Sequence, residues 1–332
     1  MDLPLVVRIL LWPFSVIYGV YVRARSWLYR NGWFQQKHLR GKVISVGNLT
    51  LGGTGKTPMV MWLAEKFFAQ GKRVAILSRG YGGSGGTSDE IELMKHRLGS
   101  QVTFGVGKDR FAEGQRIEAA TPIDVFLLDD GFQHLQLARD VDILLLDGSR
   151  SVQQPLLPAG DLREPVGACS RADLIVVTRK TERRDIEAMF SHKFSIFYAQ
   201  TRLLGFRRLP GDDRLHYVSE IGPGPFFAFC GIGNPQGFFD DLSHWHVPIA
   251  GKRSFRDHHR YSAKDLHDLK REALRAGAIA FVTTEKDACN ISDAAEFESP
   301  IFAAAIEMAM SSESEFDATL ERKLAAARGA RA

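Results

Sequence analysis

The stretch VISVGNLTLGGTGKTPMV, residues 43 to 60, constrains this chain more than any other. An apolar, β-branched run leads into a glycine-rich turn, then Lys56-Thr57, then a segment with helical spacing. That order predicts a strand, a phosphate-cradling loop and a helix, the frame of a nucleotide-binding α/β sheet. Glycines let backbone N–H groups turn inward around phosphate oxygens, and the helix start presents its positive end to the same anion. Gly52, Gly53, Thr54, Gly55, Lys56 and Thr57 are therefore the expected nucleotide-binding residues, with Lys56 reaching the terminal phosphates and Thr57 offering its hydroxyl to Mg²⁺. Thr50 stands where the strict pattern has its first glycine.

The surroundings extend the pattern. Pro58 to Gln70 has helical spacing with a proline in its first turn, where the missing N–H costs nothing. KRVAILSRG, DVFLLDD, VDILLLDG and ADLIVVTRK follow as further buried strands. Strands alternating with helices imply a mainly parallel sheet covered on both faces, with ligands at the carboxyl ends of the strands. Residues 205 to 225, GFRRLPGDDRLHYVSEIGPGP, read as a linker rich in Gly, Pro and charge. FFAFCGIGNPQGFFDDL, VPIAGKRSF, a helix near Ser262 to Ala276, and AIAFVTTEKDA then form a second, smaller α/β unit. The C-terminal tail reads as a helix with a frayed basic end. The expected division is 1–40 as a membrane-associated helical segment, 41–210 as the nucleotide-binding domain and 211–332 as the smaller domain. A length of 332 residues suits about two domains.

Charge singles out the N-terminus. No carboxylate lies between Asp2 and Glu65, against eight Lys or Arg, while the remainder of the chain is net acidic. Leu3 to Val22 is a 20-residue apolar run whose single charge is Arg8 and whose one internal proline is Pro13. Its length suffices to cross a bilayer; Arg8 and Pro13 weaken that reading, and a helix lying in the interface is the competitor. Six basic residues follow directly, interleaved with Trp27, Tyr29 and Trp33, aromatics of the kind that settle at headgroup depth. A buried core helix is the bland alternative. A cleavable leader lacks both a basic start and a small-residue cleavage site. Nucleic acid is not expected as a partner, because the charges flank an apolar run and no recognition module follows. Cys169, Cys230 and Cys289 are far apart with no CxxC spacing, which argues against zinc or a disulfide framework and fits a reducing compartment.

Asp129 and Asp130 close the run VFLL, where an acid that holds a nucleotide's magnesium belongs; Mg²⁺ takes one or two carboxylates plus phosphate oxygens. Ser88-Asp89-Glu90, taken alone, reads as the start of a helix. Its acids also have the chemistry to relieve an acceptor hydroxyl of its proton. RDHHRY, residues 256 to 261, offers two histidines beside an aspartate; adjacent residues rarely share a ligand, so a His-His metal site is not expected. Arg79, Arg110, Arg163 and Arg171 are candidates for gripping anionic groups or, equally, surface residues.

SVGNLTLGGTGKTP, LSRGYGG, LLDDGFQH, LPAGDLREP, FRDHHRY and TTEKDA occur in that order after an apolar, basic N-terminus. Together they resemble the tetraacyldisaccharide 4'-kinases of lipid A biosynthesis, over about residues 10 to 290. In that family Thr50 is the usual residue at its position. The resemblance implies transfer of the γ-phosphate of ATP, with Mg²⁺, to the 4'-hydroxyl of an acylated disaccharide 1-phosphate. It places the enzyme at the cytoplasmic face of the inner membrane of Gram-negative bacteria. The implied fold is a P-loop domain with a smaller α/β domain closing over a cleft, and the implied catalytic dyad is Asp89 with His258. Here the acidic motif lacks the family's Gly and Pro, and the run from Tyr81 to Asp89 is short. His259 is an alternative to His258, and Glu90 is expected on the metal side. Tyr81, Gln133, His134 and Glu164, from the quoted motifs, join Arg79, Arg110 and Arg163 as expected substrate-binding residues.

Two rival readings stand beside it. A membrane-associated P-loop ATPase switch fits the loop and the acid pair equally well, yet leaves RDHHRY and the apolar start unexplained. Leu51 stands where the deviant-Walker ATPases have a lysine. A GTPase would need a base-reading Asn-Lys-x-Asp, and TRKT at Thr178 to Thr181 is a poor substitute.

Overall fold

The computed structural model describes residues 4–80, 88–179, 190, 194–211, 214–291 and 299–329. Two compact units emerge, neither contiguous in sequence. The first comprises residues 1–80, 98–200 and 308–332, the second residues 81–97 and 201–307. The chain thus changes unit four times. A linear division at residues 40 and 210 does not describe it, because the last helix belongs to the unit of the nucleotide loop and the Asp89 segment joins the later residues.

In the first unit the strands run β3-β2-β4-β1-β5-β6-β7. They are β1 Lys42–Asn48, β2 Val74–Ser78, β3 Val102–Val106, β4 Val125–Asp129, β5 Val141–Asp147, β6 Leu174–Thr178 and the start of β7, Ser195–Leu209. Every pairing from β3 through β6 to β7 is parallel. β2, β4, β5 and β6 are buried along their whole length, so they read as continuous apolar runs rather than alternating ones. Helices α2 Lys56–Ala69 and α4 Arg110–Ala120 follow β1 and β3. α2 begins at Lys56, two residues before the expected start, with Gly55 as its left-handed N-cap at φ +84°. A side chain at Gly55 would also press on Met308 Cε at 3.2 Å.

The N-terminal helix α1, Leu5–Arg30, belongs to this unit. It is not the buried core helix of the bland alternative: only Ser15 and Gly19 are buried. Ser15, Tyr18, Arg25 and Ser26 recur at helical spacing on one face. Ser15 Oγ donates to Leu156 O at 2.9 Å and accepts from Ala159 N at 3.0 Å. Tyr18 donates to Arg163 O at 2.8 Å, Arg25 to Gln133 O at 3.0 Å, and Ser26 receives Arg171 at 3.3 Å. Leu5, Ile9, Leu10, Trp12, Ile17, Val20 and Tyr21 are left exposed. Pro13 lies inside the helix without ending it.

In the second unit the strands run β11-β10-β8-β9, and β11–β10, β10–β8 and β8–β9 all pair in parallel. They are β8 Phe226–Cys230, β9 Ile249–Ser254, β10 Ala280–Thr284 and β11 Ile301–Met310. α3 Asp89–Leu98 supplies the early segment, and α5 Pro235–His244, α6 Ala263–Ala276 and the single turn α7 Glu285–Ala288 follow their strands. Ser262 and Asp265 close α6 with a reciprocal capping box, and Gly277 ends it at φ +73°. The expected linker needs correction at its start: β7 continues to Leu209, and Phe206 exchanges both backbone hydrogen bonds with His216 at 2.8 Å.

Candidate active site

The first unit carries the phosphate loop. β1 lies between β4 and β5, so the loops leaving the carboxyl ends of β1 and β4 are neighbours. Lys56 Nζ consequently lies 3.7 Å from Asp130 Oδ1. Arg163 Nη1 grips both oxygens of Asp130, at 2.8 and 2.7 Å. Burial pushes the Asp130 carboxyl up, but Lys56 and Arg163 outweigh it and hold it below the usual carboxylate range. Asp129 is buried and accepts from Ser78 Oγ, at the end of β2, at 3.2 Å.

The loop itself is shaped for an anion. A Cβ at Gly53 would meet nothing within 4 Å, so no protein atom occupies the space this residue faces. Thr54 Oγ1 is buried with no hydrogen-bond partner. A carboxylate in Asp129, a hydroxyl in Thr57 and room for phosphate oxygens are the donor chemistry Mg²⁺ prefers.

The same unit carries a basic cluster. Arg110 is buried and its Nη1 lies 3.2 Å from His134 Nδ1. Guanidinium can only donate, so Nδ1 accepts and Nε2 carries the ring proton. That buried Nε2 has no partner. Burial, then Arg110, Arg139 and Arg25, push the His134 pKa down to about 4, leaving it neutral near pH 7. Gln133 Nε2 donates to Asn48 O at 2.9 Å, which fixes its amide against the end of β1. Arg79, just past β2, is exposed, and Tyr81 lies outside the described residues. Glu164 is buried and bound by both nitrogens of Arg171, at 2.7 and 3.0 Å. Arg171 also covers the Phe132 ring at 4.4 Å. Glu164, expected at the substrate, is thus buried in an ion pair with Arg171.

The second unit carries an acid–base pair. Asp89 is the first residue of α3, as its sequence suggests, and Ser88 Oγ accepts from Ile91 N at 3.4 Å. His258 Nδ1 lies 2.9 and 3.0 Å from the two Asp89 oxygens, across 169 residues of chain. The carboxylate only accepts, so Nδ1–H donates. That hydrogen bond raises the His258 pKa, against burial and the charge of Lys286. Burial would push the Asp89 carboxyl up; His258, Lys286 and Asn290 together hold it below its ordinary value. His259 faces elsewhere: its Nε2 lies 3.2 Å from Asp265 Oδ2, and its ring stacks on Phe255. Glu90 Oε1 lies 3.3 Å from Lys286 Nζ, an ammonium it shares with Asp89 and Asp257.

Lys286 and Asn290 had no role in the sequence reading. The motif TTEKDA was visible, but nothing local links it to residues near 90. Among the described residues, no cluster of three or more His, Cys, Asp or Glu side chains is arranged to hold a metal by itself.

Comparison with known proteins agrees with this architecture. The family model described as LpxK, tetraacyldisaccharide-1-P 4'-kinase, matches residues 7–325. A tetraacyldisaccharide 4'-kinase of Geobacter metallireducens is 39% identical over 334 residues, covering 95% of this chain and 98% of the relative. One from Desulfotalea psychrophila is 34% identical over 320 residues, covering 88% and 90%. The crystal structure of "apo" form LpxK from Aquifex aeolicus in complex with ATP superposes with a TM-score of 0.74 at 30% identity, covering 96% of this chain and 99% of that one. The phosphate loop, the acid pair after β4 and the Asp–His pair are thus carried by a chain that belongs to the tetraacyldisaccharide 4'-kinase (LpxK) family.

Proposed function

We propose that this chain transfers the γ-phosphoryl group of ATP to the 4'-hydroxyl of a tetraacyldisaccharide 1-phosphate. Family membership supports the reaction, and the Asp89–His258 contact of 2.9 Å carries the assignment of the acid–base work. A switch-type ATPase has no use for such a pair.

Each unit supplies one part of the chemistry. Gly52 to Thr57 bind the phosphates through backbone N–H groups and the start of α2, and Lys56 neutralises charge on the transferred group. Asp130, held by Arg163, keeps Lys56 oriented. Thr57 and Asp129 would hold Mg²⁺, which when bound offsets charge on the phosphate oxygens. The Asp89 carboxylate accepts the proton of the sugar hydroxyl as its oxygen bonds to the γ-phosphorus and the bond to the ADP oxygen breaks. His258 holds that carboxylate through Nδ1–H and stabilises it until the proton arrives. Arg110 and the free Nε2–H of His134 suit an anionic group of the acceptor.

α1 supports a membrane-surface location. Its docked polar face cannot meet lipid, while its exposed apolar face and flanking basic and aromatic residues suit the headgroup boundary. The helix therefore lies on the cytoplasmic face of the inner membrane, with its acyl-chain substrate, rather than spanning it.

The test is transfer of label from γ-labelled ATP, with Mg²⁺, to a tetraacyl disaccharide 1-phosphate in detergent micelles. Wild type should label the lipid. Asp89→Ala and His258→Ala should each lose about 100-fold or more of kcat while still binding ATP. ATP hydrolysis without lipid labelling would establish the switch-type ATPase instead.

A further inference from the structure

Thr284 ends β10, and the six residues after it, EKDACN, make one turn of helix and stop. Their side chains reach three different places. Glu285 Oε2 binds Arg97 Nη1 at 2.9 Å and Oε1 binds Arg207 Nε at 3.1 Å. Arg97 is the ninth residue of α3, and Asp89 is its first. The ion pair therefore fixes the helix whose opening residue is the carboxylate.

Lys286 and Asn290 are one helical turn apart and so face the same way. Both face Asp89. Asn290 Nδ2 donates to Asp89 Oδ2 at 3.2 Å. Lys286 Nζ lies 3.9 Å from the same oxygen, 3.3 Å from Glu90 Oε1 and 3.3 Å from Asp257 Oδ1. One ammonium thus bridges the acid that opens α3, its neighbour, and the residue preceding His258. The remaining Asp89 oxygen, Oδ1, accepts from the backbone N–H of Glu90 at 3.0 Å.

Asp287 points the other way and is completely buried. Its Oδ1 accepts from Gly231 N and from Tyr261 Oη, both at 2.7 Å, and its Oδ2 from Thr284 Oγ1 at 2.6 Å. Gly231 O in turn accepts from His258 N at 3.0 Å. The loop carrying His258 is therefore fixed on both sides of the histidine, at Gly231 and at Tyr261. His258 itself sits at φ +59°, a conformation that persists in a non-glycine residue only when its surroundings impose it.

We infer that the turn Glu285–Asn290 is the positioning frame of the acid–base pair. Glu285 seats α3, Lys286 and Asn290 set the direction of the Asp89 carboxylate, and Asp287 sets the backbone from which His258 reaches it. The frame touches neither phosphate loop nor Mg²⁺ residues, so its loss should lower the rate of transfer and leave nucleotide affinity alone. This inference rests on the kinase reading given above.

The experiment uses the full chain in the lipid-labelling assay, with Lys286→Met, Lys286→Arg and Asn290→Ala beside wild type. A misdirected base costs about 10- to 100-fold in rate for small displacements. We expect Lys286→Met and Asn290→Ala to lower kcat by about that factor, with KM for ATP changed by less than about twofold. Lys286→Arg, which keeps the bridging cation, should recover most of the loss. Wild-type kcat in both truncations would overturn the inference. So would losses in kcat, ATP KM and melting midpoint that move together and are not rescued by arginine, since that marks support of the fold alone. If Lys286→Met fails to fold, Asn290→Ala and Lys286→Arg decide by the same criteria. A wild type that labels no lipid overturns the kinase reading itself, an outcome separate from unaffected variants of a working kinase.

Discussion

Asp130 and His258 adopt φ values of +48° and +59°. A left-handed backbone costs a non-glycine residue on the order of 1 to 3 kcal/mol. Each residue follows the carboxyl end of a strand, β4 or β9, and each aims a side chain at a charged partner. The strain is a structural cost of that aim. His134 shows the opposite economy, a titratable ring held neutral by burial between arginines. Its folded pKa of about 4 lies below the ordinary 6.5, so the unfolded chain takes up this proton first as pH falls. Stability should therefore drop between roughly pH 6.5 and pH 4, and level off below, from this residue. Denaturant titrations across that window should show His134→Gln with a shallower acid loss than wild type; equal slopes would mean that other groups set the acid limit. Single residues were legible only in part. From residues alone Asp89 reads as a helix start, which it is, and only the resemblance paired it with His258. Lys286 and Asn290 stayed hidden because they act across about two hundred residues of chain, 201 for Asn290, and no local pattern spans that distance.

Elements were legible where burial and pattern agree. β1, β2, β4, β5, β6, β8, β9 and β10 were each visible as runs, and α2, α5 and α6 by their spacing and caps. Three strands were missed for separate reasons. β3 is only partly buried and carries Gly105, too short a signal beside its neighbours. β7 is 15 residues long and carries Gly205 at φ +153°, with arginines that imitate a linker. β11, IFAAAIEMAM, is rich in alanine, the best helix former, yet tertiary burial makes it a strand. The helix α1 can be tested in two ways that its two faces separate. Ile9→Glu with Trp12→Glu, both on exposed positions, should weaken sedimentation with anionic vesicles and leave the melting midpoint of the protein unchanged. Ser15→Val instead strands Ala159 N–H, at a cost of about 1 to 3 kcal/mol. It should lower the melting midpoint. Vesicle binding untouched by the glutamates would remove the membrane role of α1.

For the whole molecule, the informative fact is which segments build which unit. The last described helix, α8 Glu313–Gly329, belongs to the unit of the phosphate loop. Its Phe316 is fully buried between the rings of Trp62, at 5.5 Å, and Phe197, at 5.2 Å. Lys66 of α2 binds Glu313 and Asp317 at 2.6 Å each. Phe316→Ala should cost about 3 to 5 kcal/mol and, because α2 is the helix behind Lys56, should weaken ATP binding at physiological temperature. Calorimetric unfolding with and without ATP checks both effects; a loss of stability with unchanged ATP affinity would uncouple α8 from the loop. The same arrangement has a consequence for synthesis. The glycine loop leaves the ribosome early, but the helix that completes its unit leaves only after residues 201–307. The growing chain therefore carries an unfinished nucleotide site through the whole time that residues 201–307 are being made. That second unit has all its segments, Asp89 included, before the first is complete. A stop between residues 308 and 315 would release the residues of the acid–base pair together with a phosphate-loop unit that lacks α8.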